Sequence, residues 1–200
     1  MPRNATSKSS SKTSARGTRR SSSKGSPEDA LHILAEDHKK VIEMFDEFER
    51  MKEEADTDEE AKQSLVEAAC AELTIHAQVE EEVFYPAARD AIDDMDLLDE
   101  AEVEHASARQ LITELAAMQP DDDLYDAKFT VLGEYVKHHI QEEEKQLFPK
   151  LKKADIDLEE LGEEISERKL ELREELGVPS EEEEDYEDPE SGSKAKRKIH

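Results

Sequence analysis

Between positions 27 and 179 the apolar residues recur every three or four positions and do not alternate, so this segment can bury an apolar face as helices but not as strands. Leu31, Leu34, Val41, Phe45 and Phe48 form one stripe, and Leu65, Ala69, Leu73, Val83 and Phe84 form a second. Leu98, Ala101, Ala108, Ile112 and Leu115 form a third, and Leu132, Tyr135, Val136 and Leu147 a fourth. Start signals divide the runs. Ser26-Pro27-Glu28-Asp29 offers an N-cap, a proline at the first helical position and acids in the first turn. Thr57-Asp58-Glu59-Glu60 reads as a capping box, Asp96 precedes a run over 97–118, and Pro120-Asp121-Asp122-Asp123 opens a run to position 148. Asp157 opens a fifth run, which Gly177 and Pro179 stop and in which Leu158, Leu161, Ile165, Leu172 and Leu176 stand among charges. Four amphipathic helices with short connections predict an all-α, antiparallel up-down four-helix bundle over residues 27–153. The fifth helix, over 154–178, is expected to lie across the bundle or extend from it. Aromatics at 4% and the absence of tryptophan argue against a β-sandwich with an aromatic core.

Charge marks off the two ends. Residues 1–26 hold seven basic side chains, no acidic ones and much serine. Residues 179–200 carry eight acids and then Lys194, Lys196, Arg197 and Lys198. Neither end can bury enough apolar surface to offset chain entropy, so both are expected to be disordered tails. With plus seven before residue 27 and minus four after 179, the formal total of −27 leaves −30 on the helical part. Such a body repels phosphates and is not expected to bind nucleic acid, except weakly through the basic tails. Those tails can equally fold back on the acidic body. No apolar stretch is long enough to span a membrane, and the basic N-terminus has no apolar core of a secretory signal, so a cytoplasmic location is expected. Cys70 is the only cysteine: it excludes an internal disulfide and any site with two thiolates from one chain, and it is expected to be buried.

The apolar stripes are interrupted by histidine. His38, His76, His105 and His139 each stand three, four or seven residues from stripe neighbours, so each inner face presents one imidazole near its middle. Glu80 and Glu143 follow His76 and His139 by four residues and share their faces. A single buried histidine is commonly satisfied by a hydrogen bond. Four imidazoles and two carboxylates converging in one apolar core need a shared partner, because an unpaired buried carboxylate costs several kcal/mol. Two metal ions meet that need, with Glu80 and Glu143 each bridging both and two imidazoles holding each ion. Imidazole and carboxylate without thiolate suit iron, manganese or zinc.

An internal repeat supports the same set. The segment from His76 through Glu80 and Glu81 to Tyr85-Pro86 lines up with that from His139 through Glu143 and Glu144 to Phe148-Pro149. His138 with Glu142 is the shifted alternative. Only His139 stands ten before its proline, as His76 does, so His138 is expected to be exposed. His32 lies off the stripe and His200 in the tail.

These motifs resemble the hemerythrin-like family, also called HHE cation-binding domains, over about residues 28–150. The resemblance implies a four-helix bundle around a non-haem di-iron centre, with His38, His76, His105 and His139 as terminal ligands and Glu80 and Glu143 as bridges. Oxygen carriers of the family have a histidine four residues after the third-helix histidine; here that position is Arg109, which cannot ligate a cation. A water or a carboxylate, Glu81 or better Glu102, is the expected substitute, and reversible oxygen carriage is put in doubt. Three functions compete. The first is a non-enzymatic di-iron protein that binds, buffers or senses iron, oxygen, nitric oxide or redox state. The second is a di-iron oxidoreductase acting on peroxide, oxygen or nitric oxide, for which Tyr135, one turn before His139, is the polar candidate beside the ligands. The third is a metal-free acidic interaction bundle. The first is the expectation.

Overall fold

The structure, a computed structural model, describes residues 29–53 and 58–179, and among these every regular element is helical. Five rods follow one another. Helix α1 spans Ala30–Glu53. Helix α2, Glu59–Val79, runs through a π-turn at Glu80–Phe84 into α3, Tyr85–Ala91. Helix α4 spans Met95–Leu115. Helix α5, Tyr125–Glu142, runs through a second π-turn at Glu143–Leu147 into α6, Phe148–Leu151, and α7 spans Leu158–Leu176. The first four rods form the antiparallel bundle, with α1 against α2, α4 against α5, and α1 also against α5. Helix α7 lies along α1 and α2 and buries Leu161, Ile165 and Leu172 there, so it is part of the packed body, while Leu176 stays half exposed.

Several helix starts move from their expected places. Asp29 caps α1 by accepting the His32 N–H at 2.9 Å; Ser26, Pro27 and Glu28 lie outside the described residues. Asp58 caps α2, accepting from the N–H groups of Glu60 and Ala61; the capping box expected from Thr57 lies partly outside the described residues. Asp121–Asp123 do not open α5. The Asp122 carboxylate folds back to accept the Gln119 N–H at 2.8 Å, and Leu124 takes a left-handed conformation with φ 72° before the helix begins. Asp157 and Gly177 cap α7 as expected. Gly177 adopts φ 67°, and the Val178 N–H reaches the Arg173 carbonyl at 2.9 Å. The tails expected to be disordered lie outside the described residues.

The core is two apolar clusters rather than one. Leu31, Leu34, Phe84, Leu98, Phe148 and, from α7, Leu161, Ile165 and Leu172 form the first; Phe45, Phe48, Leu73, Phe129 and Leu132 form the second. His38, His76, His105 and His139 fall between them along their helices, so a polar layer crosses the bundle at mid-height. Close packing of α1 on α5 depends on Gly133, where a Cβ would sit 2.8 Å from the Phe45 ring. Among the described residues no helix is long and apolar enough to cross a membrane.

Candidate metal centre

The polar layer gathers all six residues singled out by spacing. His38, His76, His105, His139, Glu80 and Glu143 are all buried. The Nε2 atoms of the imidazoles point inward. His38 Nε2 lies 3.3 Å from Glu143 Oε2, while His76 and His105 each place Nε2 3.3 Å from Glu80 Oε2. His139 Nε2 stands 3.7 Å from Glu143 Oε2 and 3.2 Å from His105 Nε2. The donors fall into two sets small enough to surround an ion: His38, His76, Glu80 and Glu143, and Glu80, His105 and His139. Glu80 belongs to both. Four inward-facing atoms are buried without a hydrogen-bond partner: His38 Nε2, His76 Nε2, Glu80 Oε1 and Glu143 Oε2. Buried polar atoms are almost always satisfied, so this many open donor positions at one point fit a cation better than a dry core.

Outward-facing nitrogens carry carboxylates in a two-fold pattern. Glu144 lies 3.0 Å from His38 Nδ1 and Glu81 lies 3.0 Å from His105 Nδ1, each being the residue after a central glutamate of the other half. Glu104 lies 2.9 Å from His139 Nδ1, and Asp37 lies 3.6 Å from His76 Nδ1, each being the residue before the first histidine of its own half. A carboxylate on Nδ1 fixes the tautomer that leaves Nε2 free to ligate and raises its basicity. None of these four partnerships was read from the sequence. Their signal was the repeat itself: Glu81 matches Glu144, and Asp37 stands to His38 as Glu104 does to His105.

The π-turns bring in the aromatic rings. Pro86 and Pro149 have no N–H to give to the carbonyl four residues back. The N–H of Tyr85 and of Phe148 instead reach five residues back, to the carbonyls of Glu80 and Glu143. At ~100° per residue an α-helix would set residue i+5 about 140° away from residue i. The wider turn returns it toward the same face. Tyr85 consequently stacks on His105 at 5.5 Å between ring centroids, and Phe148 stacks on His38 at 5.9 Å. Where the second half has phenylalanine, the first has a hydroxyl. Tyr85 Oη donates to Glu143 Oε1 at 3.0 Å and lies 3.4 Å from Glu80 Oε2. Tyr85 thus takes the place expected for Tyr135, whose side chain is 49% exposed.

Both suggested substitutes for the missing imidazole are committed elsewhere. Glu81 binds His105 Nδ1 and Arg109, on the outer side of the ring. Glu102 pairs with Arg89 at 2.8 Å on the surface. His138 is exposed, as expected, with Glu104 and Glu142 at 3.7 and 3.8 Å. Cys70 is half-buried, and burial pushes its thiol up to about 12, so it is not a nucleophile at neutral pH.

Electrostatics sort the six groups. Burial, then the charge of Glu143, raises Glu80 well above the carboxylate range. Burial also works against the charge of Glu143, but the close contact with His38 and the charges of the imidazoles His139, His38 and His76 outweigh it and hold Glu143 low. Burial opposes protonation of His38 and His139, yet Glu143 on the first and Glu104 on the second raise both. Burial lowers His76 to about 4 and also lowers His105. Without a metal, the folded layer favours the protonated forms of Glu80, His38 and His139 and disfavours those of His76 and His105.

A narrow chamber of about 30 Å³ meets the four imidazoles on the side of the second apolar cluster. Val41, Leu73, Ala108, Ile112, Val136 and Ile140 line its walls, and the half-exposed Arg109 and Tyr135 also border it.

The hemerythrin HHE cation binding domain, as a family description, matches residues 29–151. A solved hemerythrin HHE cation binding domain-containing protein from Mycobacterium kansasii superposes with a TM-score of 0.61 at 24% identity, over 74% of this chain and 89% of that one. A DNA nickase from Nostoc sp. is 28% identical over 116 residues, which is 58% of this chain. That segment is 31% of the nickase, so the chain spans about a third of the length of this relative.

Proposed function

The chain belongs to the hemerythrin HHE cation binding domain family and is a metal-binding protein of hemerythrin-like fold, and from that premise we propose that it holds a pair of iron ions and binds or senses a small diatomic molecule, oxygen or nitric oxide. In this reading His38 and His76 would hold one ion, His105 and His139 would hold the other, and Glu80 and Glu143 would be the carboxylates shared between them. The observation that carries it is the set of four buried, inward-facing donor atoms with no partner of their own. Manganese and zinc suit the same donors. An iron pair bound there would supply reversible redox change. The chain's own residues do the rest: the carboxylates on Nδ1 fix the imidazoles, Tyr85 orients Glu143, and the apolar chamber keeps bulk water off.

The chamber favours binding or sensing over turnover of a larger substrate. About 30 Å³ admits a diatomic molecule or a water or two. Its walls are mostly apolar, and Tyr85 is not among them. An oxidoreductase acting on peroxide is the competing reading, and sustained peroxide turnover by the iron-loaded protein would favour it. The nickase activity of the Nostoc relative is not carried over: the shared segment is a minor part of that protein, and a body this acidic repels a phosphate backbone.

Metal analysis tests the reading. Protein purified without chelator is expected to hold about two transition-metal ions per chain, as bundle sites of this type do. With iron it is expected to absorb in the near-ultraviolet from carboxylate-bridged ferric ions. His139→Ala is expected to lose metal and His138→Ala to keep it. Less than about half an ion per chain in a metal-replete preparation, or equal loss in the two variants, would overturn the assignment.

A further inference from the structure

We propose that α7, which lies beyond the segment matched to the family, is a working part of the metal centre: Lys169 positions His76 through Asp37. The proposal rests on the metal reading above and adds a regulatory contact to it.

The pseudo-two-fold plan of the centre is broken at one place. Three imidazoles have a carboxylate oxygen 2.9 to 3.0 Å from Nδ1. His76 has Asp37 Oδ2 at 3.6 Å, and neither of these two buried atoms has a hydrogen bond of its own. The other oxygen of Asp37 is held by Lys169 Nζ at 2.5 Å. Both side chains are largely buried, at 13% and 12% exposure, so this is an interior ion pair between α1 and α7. Glu104, the counterpart of Asp37 in the other half, turns its second oxygen toward exposed His138 instead. The position of α7 therefore sets where the carboxylate behind His76 sits, whereas the carboxylate behind His139 has His138 on its second oxygen.

Lys169 acts on His76 in two opposed ways. It shares the charge of Asp37, which weakens the pull on the imidazole N–H. It also keeps Asp37 in the interior. An aspartate at this depth without its cation turns toward water, which removes the acceptor altogether. The second effect is the larger. Outer partners of ligating histidines are worth about 10–100-fold in metal affinity, and Lys169, one contact further out, is placed at about tenfold. Movement of α7 along α1 and α2 would then tune one ion position and leave the other alone.

Zinc, which is redox-inert and suits the same donors, is the probe. Wild type loaded with zinc is titrated with a competing chelator, beside Lys169→Met, Lys169→Arg and Arg173→Met. Wild type is expected to give up its two ions over one range of chelator. Lys169→Met is expected to release one of the two at about tenfold less chelator, and Lys169→Arg to restore the single range. Arg173→Met removes a different α7 anchor, the pair with Glu72. It is expected to melt lower yet release zinc as wild type does. If Lys169→Met does not fold, Lys169→Gln, which keeps length without charge, takes its place. Superimposed curves for the Lys169 variant and wild type would overturn the proposal, as would an equal split in Arg173→Met. A wild type that holds no zinc is a different result, and it would remove the centre itself.

Discussion

At the scale of single residues, the most informative asymmetry is Tyr85 against Phe148. The two occupy matching positions of the repeat, each stacked on a central histidine, and only one carries a hydroxyl. Burial, then the charges of Glu143 and Glu80, pushes Tyr85 well above its usual value, so it remains a donor at neutral pH. Its 3.0 Å bond goes to a buried carboxylate. Hydrogen bonds to charged groups contribute ~1.5–3 kcal/mol, and Tyr85→Phe keeps the ring and its packing. The metal-free variant is therefore expected to lose about that much stability in denaturant unfolding. The metal-loaded variant is expected to keep both ions, since no ligand is removed. Loss of an ion in Tyr85→Phe would mean that the hydroxyl itself holds metal. Unchanged metal-free stability would mean that the bond to Glu143 does not form.

Helical periodicity explains what could be read in advance at the scale of elements. His38, His76, His105 and His139 were visible because α-geometry repeats at three, four and seven residues, and the structure gathers them as that spacing requires. Glu80 and Glu143, four after a histidine, were visible for the same reason. Tyr85 was not, because position i+5 points away in an α-helix and only the π-turn ahead of Pro86 returns it. Asp37, Glu104 and Glu144 are hard to pick out in a chain with 54 acidic residues, where residue type alone says little and only their matching offsets in the repeat mark them. Nor could Gly133 be ranked among the glycines, since what matters is the Phe45 ring across the α1–α5 contact. A Cβ 2.8 Å from that buried ring has nowhere to go unless the helices part. Gly133→Ala improves intrinsic helix propensity by ~1 kcal/mol, but overpacking costs ~1–3 kcal/mol. The packing cost is expected to win, with a lower thermal midpoint and retained helicity. A higher midpoint would show that α1 and α5 can separate at little cost.

The whole molecule is an acidic body split by a layer of titratable groups, for which, under the two-ion reading, protons and metal would compete. In the metal-free protein, His38 and His139 hold protons more tightly folded than unfolded. Stability from that difference is complete below the unfolded histidine value of about 6.5 and is lost as pH rises through the raised folded values. Glu80, also raised, works in the same sense, since the folded state favours its protonated form. His76, at about 4, and His105 work oppositely on the acid side, where the unfolded chain takes protons that the folded one refuses. Glu143, held low, likewise contributes stability that is lost in acid. Above about pH 6.5 the metal-free protein should therefore weaken as pH rises. Metal reverses the slope, because it binds the deprotonated ligands and displaces their protons. One displaced proton changes the binding constant about tenfold per pH unit, or about 1.4 kcal/mol. Stabilisation by metal is already ~2.7 kcal/mol at a hundredfold excess over the dissociation constant. Thermal melts with metal and with chelator, followed by circular dichroism from about pH 6.5 to 8.5, should show midpoints that move apart as pH rises. Midpoints that stay parallel across that range would mean that metal and protons do not compete for the layer. The six central residues would then be held by their own hydrogen bonds, and the two-ion reading would fail with them.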